Sequence, residues 1–158
     1  MGEIDARAME GDLPSAVILL TAAEGERRNV MPATQVVLLS YEPPLVGVAV
    51  TPSHLTYELI EAGGYFAINV ATAAQAPLVR DIGHSKGREI DKFEAFGIET
   101  ARGDAAPVPL ITGSMAAMEC RLLEIVPAGD HHLIVGEVLA HHHWSDGPPL
   151  MLVGGRLT

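Results

Sequence analysis

Short apolar runs and alternating stretches dominate the hydrophobic pattern, and only three segments switch to a helical period. Ala16 to Thr21 (AVILLT) is a continuous apolar run short enough for a buried strand. Glu24-Gly25-Glu26 turns the chain, and Val30 to Ser40 carries the β-branched cluster of a second strand. Pro32 has no amide hydrogen for a ladder, so Asn29 to Pro32 is expected at a sheet edge or an irregular strand entrance. Glu42-Pro43-Pro44 leads into a third strand, Leu45 to Val50. The period then changes. His54 to Ala62 places Leu55, Leu59 and Ile60 at helical spacing, with Ser53 as N-cap and Gly63-Gly64 as the stop. Tyr65 to Val70 returns to strand character, while Ala73 to Ile82 and Ile90 to Phe96 read as short helices. Gly113 to Val126 forms a long strand, Ala128-Gly129-Asp130 supplies hairpin chemistry, and His131 to His143 is the returning strand. Asp146-Gly147-Pro148-Pro149 turns into a last strand, Leu150 to Val153.

About six or seven strands with two or three short helices predict a mainly β fold built as an antiparallel barrel. A doubly wound parallel sheet requires a more regular strand–helix alternation. The 158 residues fit one domain spanning 1–158, with 1–14 as an acidic N-terminal extension that lacks a signal-peptide core. Aromatic residues make up only 4% of the chain, so the core must come from aliphatic side chains.

Twenty acidic residues against ten basic ones leave a net charge of −10. The bases are scattered, with only Arg27 and Arg28 adjacent, which excludes the basic face that nucleic acid or an anionic membrane requires. A single anionic ligand needs only a local pocket of donors and stays compatible. No apolar run approaches the ~20 residues of a membrane span, and a cytoplasmic protein is expected. Cys120 is the one cysteine, on the side shared with Met118 and Leu122, and reads as a buried core thiol.

The dinucleotide, Walker A, zincin and nucleophile-elbow motifs are all absent. His141 and His143 share one strand face and can ligate zinc or copper with a third ligand from elsewhere. The plainer reading is a polar strand end, and no metal site is expected. Glu119 alternates with apolar neighbours and is expected to face solvent or a partner subunit. Glu137, inside an apolar strand, is expected in a structural salt bridge.

Four ordered segments remain. They are Asn29-Val30-Met31-Pro32-Ala33-Thr34-Gln35 with Ser40-Tyr41-Glu42-Pro43-Pro44; Thr51-Pro52-Ser53-His54-Leu55-Thr56 with Phe66-Ala67-Ile68-Asn69-Val70; Gly83-His84-Ser85-Lys86 with Asp91-Lys92-Phe93; and Cys120-Arg121-Leu122 with Gly129-Asp130-His131-His132. In this order and spacing the chain resembles the flavin-reductase-like family of FMN-binding split barrels, within it the flavoredoxin-like branch. The resemblance implies a six-stranded antiparallel Greek-key split barrel and a homodimer with FMN near the subunit interface. It also implies an FMN-dependent oxidoreductase that transfers electrons between NADH or NADPH and FMN or a redox partner. The alternative is a non-enzymatic FMN-binding or electron-carrier protein.

Carried over residue by residue, Thr51, Ser53 and Thr56 would give hydroxyls to the FMN phosphate, with His54 as a further donor and the following helix N-terminus as an anion site. Asn29, Val30, Met31, Pro32, Ala33 and Thr34 would run along the isoalloxazine, and Ser85, Lys86 and Lys92 would reach the flavin from a loop. His131 would lie beside the nicotinamide and orient substrate; no catalytic base is implied. Asn69 reads as structural. Asn29-Val30-Met31-Pro32 stands where two-component reductases carry a glycine-threonine turn, which favours FMN held as a prosthetic group.

Overall fold

A computed structural model describes residues 2–158 of the chain. The strands are β1 (Ser15–Ala16), β2 (Ile18–Glu24), β3 (Arg27–Ala33), β4 (Val36–Tyr41), β5 (Pro44–Val50), β6 (Tyr65–Val70), β7 (Thr100–Arg102), β8 (Pro109–Ile111), β9 (Ala116–Ala128), β10 (His131–His143), β11 (Met151–Val153) and β12 (Arg156–Leu157). The helices are α1 (Ala6–Asp12), α2 (Leu55–Gly63), α3 (Ala76–Gly83) and α4 (Lys92–Ala95), with a 3-10 turn at Ala73–Gln75.

Seven strands form one antiparallel sheet in the order β3-β2-β6-β9-β10-β5-β4. Its two edges, β3 and β4, are joined by only Thr34 and Gln35, so the strand ends Ala33 and Val36 lie at most ~11 Å apart. That short link draws the edges together and rolls the sheet into a barrel. The seam carries no β3–β4 ladder, so the barrel is split there.

The period of two along each strand sorts side chains between the barrel interior and its outer face. Ile18, Leu20, Val46, Val48, Phe66, Ile68, Cys120 and Ile134 fill the interior, closed by Leu59 and Ile60 of α2. Gly136 is required where β10 passes the Phe66 ring, because a Cβ there would run into the ring. Cys120 is buried as expected, and burial pushes its thiol up to about 12. On the outer face, Val17, Leu19 and Val30 meet Val79, Ile82 and Phe93 of α3 and α4. Elsewhere on that face Ala67 and Ala117 lie under Ala106, Val108 and Leu110 of the β7–β8 hairpin. Asn69 ties this layer down: its Nδ2 donates to Leu19 O (2.9 Å) and Thr21 Oγ1 (3.1 Å), and its Oδ1 accepts from Ile111 N (2.8 Å).

Several expectations change. The single strand expected over Val30 to Ser40 is two strands, β3 and β4, broken at the seam, so the main sheet has seven strands rather than six. Asn29 to Pro32 does lie at a sheet edge. Four α-helices replace the two or three expected; α1 buries none of its side chains. The helix after β5 is capped by His54, one residue past Ser53, because the chain stays extended through His54 (φ −72°, ψ 141°). Helix α4 is shorter than Ile90 to Phe96, since Asp91 caps it by accepting from Phe93 N (2.9 Å) and Glu94 N (3.3 Å). Glu119 faces neither solvent nor a partner subunit: it points outward from the barrel but is fully buried beneath residues 103–106. Glu137 pairs with Arg121 as expected.

Candidate functional site

The seam and the end of β5 lie side by side, and two hollows open there. The first, about 190 Å³, runs along Met31, Pro32, Ala33 and Thr34 and is closed by Thr51 and His131. The second, about 540 Å³, is lined by Asn29, Ser53, Ser85, Lys86, Arg88 and Lys92. Met31 and His54 border both hollows, so the two form one cleft.

Local structure sets its chemistry. Helix α2 begins at the cleft, and its N-cap residue His54 offers no side-chain acceptor to the first-turn amides. Unspent amides at a helix start favour an anion through hydrogen bonding and the helix dipole. Lys86, Arg88 and Lys92 add positive charge on the same side. Arg88 is held by Glu58 (Nη1 to Oε2, 2.8 Å) and by Ser53 O (3.4 Å). Burial, then the nearby Lys92 and His131, hold the His54 imidazole below its ordinary range, so it is neutral at pH 7. At the opposite end, His131 Nδ1 lies 2.7 Å from Asp130 Oδ1 and its Nε2 lies 3.5 Å from Thr51 Oγ1. His131 pulls the Asp130 carboxyl below its usual range.

Of the residues singled out in the sequence, Met31, Pro32, Ala33, Thr34, Thr51, His54 and His131 meet in the first hollow. Asn29, Ser53, Ser85, Lys86 and Lys92 meet, again with Met31 and His54, in the second. Two do not open onto the cleft. The Val30 side chain packs on the outer face against α3 and α4. Thr56 is fully buried and accepts a hydrogen bond from Asn29 Nδ2 (3.0 Å). Lys92 borders the cleft but is nearly buried, and its ammonium donates to Val30 O (3.0 Å) and Ile82 O (3.1 Å). Desolvation lowers its pKa accordingly.

Two contributors escape a sequence reading. Arg88 lies two residues past Lys86 with no motif to mark it, and only the fold aims it at Ser53. Gly87 presses its bare Cα on the Asn29 amide, where any Cβ would collide. A glycine between two cations was the available signal.

A family model described as "Flavin reductase like domain" matches residues 9–158. An NADH-dependent FMN reductase of Streptomyces nodosus subsp. asukaensis is 31% identical, covering 99% of this chain and 84% of that protein. The structure of a Streptomyces globisporus NADH:FAD oxidoreductase superposes with a TM-score of 0.90 at 27% identity, covering 100% of this chain and 96% of that one. An FMN-binding protein from Thermus thermophilus superposes with a TM-score of 0.85 at 30% identity, over 100% and 92% of the two chains.

Proposed function

The chain belongs to the flavin reductase-like domain family, and from that premise we propose that it is an FMN-dependent oxidoreductase that takes electrons from NADH or NADPH. The observation that carries this reading is one cleft with two unlike ends. An uncapped helix start with Lys86 and Arg88 suits a phosphate, and a hollow lined by Met31, Pro32 and Ala33 suits an aromatic ring.

The residues present fit FMN. The first-turn amides of α2, the Ser53 and Ser85 hydroxyls and the Lys86 and Arg88 cations would hold its phosphate. Met31, Pro32, Ala33 and Thr34 would flank the isoalloxazine through short side chains and main chain. FMN held there would supply two-electron redox chemistry between the nicotinamide donor and a redox partner. Thr51 and His131 would bound the position of the incoming nicotinamide, a positioning role that needs no proton transfer. Val30 and Thr56 serve the flavin only by fixing β3 and α2. Lys92 does the same for β3 and α3, leaving its charge near the phosphate end.

The same reading makes the protein a homodimer with FMN near the subunit interface. Support comes from edge strand β4, which leaves Val37, Leu38 and Tyr41 exposed. A cytoplasmic location goes with it, where nicotinamide donors are available; among the described residues no helix is long and apolar enough to cross a membrane. The alternative, an FMN carrier without nicotinamide turnover, draws on Asn29-Val30-Met31-Pro32 in place of a glycine-threonine turn. The reductases among the relatives weigh against it.

Titrating the flavin-free protein with FMN and with riboflavin tests the site. FMN should bind at least about tenfold more tightly, and Lys86→Ala with Arg88→Ala should erase the difference while leaving riboflavin affinity unchanged. Equal affinity for the two flavins in the unaltered protein would place the phosphate elsewhere.

A further inference from the structure

Among the described residues Glu119 is the one carboxylate side chain with no exposure at all, and it lies on the outer face of the barrel, sharing no residue with the cleft. Its Oε1 accepts from Ala105 N (2.8 Å) and Ala106 N (2.9 Å). Its Oε2 is turned to His142 Nε2 at 2.7 Å. The imidazole is fixed in turn by stacking on Trp144, with ring centroids 5.7 Å apart and planes 24° apart. Gly103 packs its bare Cα against the same carboxylate, so any side chain there would run into Glu119 Oε1. That close approach delivers the next residue, Asp104, to the opening. One ligand-capable atom from each of Asp104, Glu119 and His142 then lies within 4.8 Å of the others.

The charges do not balance. Among the described residues, neither carboxylate forms an ion pair with a lysine or arginine, and beyond the Ala105 and Ala106 amides Glu119 has only the His142 imidazole as a side-chain partner. Asp104 brings a second, exposed carboxylate to the mouth of the buried one, so a cation seated there would meet two oxygen ligands and one nitrogen. Hydrogen bonds from Ala105 and Ala106 orient the Glu119 carboxylate from behind, and the Trp144 stack orients His142, as outer-shell partners orient metal ligands.

We propose that Asp104, Glu119 and His142 form a binding site for a divalent transition cation of the zinc class, which staples the β7–β8 hairpin to strands β9 and β10. One nitrogen and two oxygen ligands suit zinc and its first-row neighbours better than magnesium or calcium, which favour all-oxygen sets. The exposed Asp104 leaves the remaining coordination positions to water. Binding requires the Nε2 lone pair of His142, so a proton on Nε2 moves to Nδ1 or leaves to solvent, and the hydrogen bond to Glu119 is replaced by two bonds to the metal. The site departs from the absence of metal expected from sequence, and it uses His142 rather than the exposed pair His141 and His143.

Calorimetric titration of the full chain with Zn²⁺ tests this, with Mg²⁺ as control. The expected result is about one Zn²⁺ per chain, no comparable heat from Mg²⁺, and at least about tenfold weaker binding in both Asp104→Asn and His142→Asn. Asp104→Asn alters an exposed side chain, so it retains the fold even if His142→Asn does not. Zn²⁺ should raise the unfolding temperature of the unaltered protein but not of Asp104→Asn. Absence of Zn²⁺ binding would overturn the proposal. So would binding that survives Asp104→Asn and His142→Asn and disappears in the His141→Asn, His143→Asn double variant.

Discussion

Lys92 and Thr56 look like ligands in the sequence and behave as internal fasteners in the fold. Lys92 spends two of its three N–H donors on the carbonyls of Val30 and Ile82, and Thr56 takes the Asn29 amide. Lys92→Met should therefore lower stability by about 1–3 kcal/mol by removing two buried hydrogen bonds, with Ile82 O keeping those from Ser85, read as a lower urea midpoint at unchanged slope. Gly136→Ala should cost about 1–3 kcal/mol by forcing a methyl against the Phe66 ring, and its far-ultraviolet spectrum should stay that of the parent. These roles were not legible in the sequence, because burial of a lysine depends on which carbonyls the fold brings to it. Cys120 was legible, since the strand period fixed its face, and Asn69 was rightly read as structural.

At the scale of elements, α2 and the seam place the cleft, and both were partly legible. The helix was visible from Leu55, Leu59 and Ile60, but its cap was not. Ser53 is the better capping residue by type, yet the chain remains extended through His54 and leaves the helix start open. The break between β3 and β4 falls at the polar pair Thr34-Gln35, which reads equally well as part of one continuous strand, because the pattern cannot mark where a strand crosses from one sheet edge to the other. The β7–β8 hairpin was invisible: its strands are three residues each, too short for a period. Helix α4 was seen too long because Asp91 was not recognised as its cap. Burial raises the Asp91 carboxyl pKa, but the Arg28 pair and the amides of Phe93 and Glu94 outweigh it, and the net shift is downward. A depressed carboxyl contributes stability that is present above its unfolded pKa and lost as pH falls through the folded value. Asp91→Ala should thus cost about 0.5–2 kcal/mol at neutral pH, chiefly as a lost cap. The deficit should shrink when urea midpoints are compared at about pH 3, where the unfolded carboxyl is protonated. A deficit independent of pH would mean that the carboxylate charge contributes nothing.

At the scale of the molecule, a net charge of −10 coexists with a cleft that gathers three cations and a helix start. Composition excluded a basic face and rightly said nothing against a small anionic ligand. An exposed sheet edge with apolar side chains invites pairing, and β4 leaves Tyr41 87% and Leu38 53% exposed. Sedimentation should find a dimer, and Leu38→Lys with Tyr41→Lys should shift it toward monomer and weaken FMN binding by about tenfold. Family and barrel came through in the sequence as ordered segments, while which of the singled-out residues open onto the cleft and which are buried fasteners needed coordinates. The most direct test of the whole account is anaerobic absorption spectroscopy of the FMN-loaded protein on addition of NADH, then NADPH. The account predicts that one of them bleaches the flavin band and that air restores it. A flavin band that dithionite bleaches but neither nicotinamide touches would contradict it.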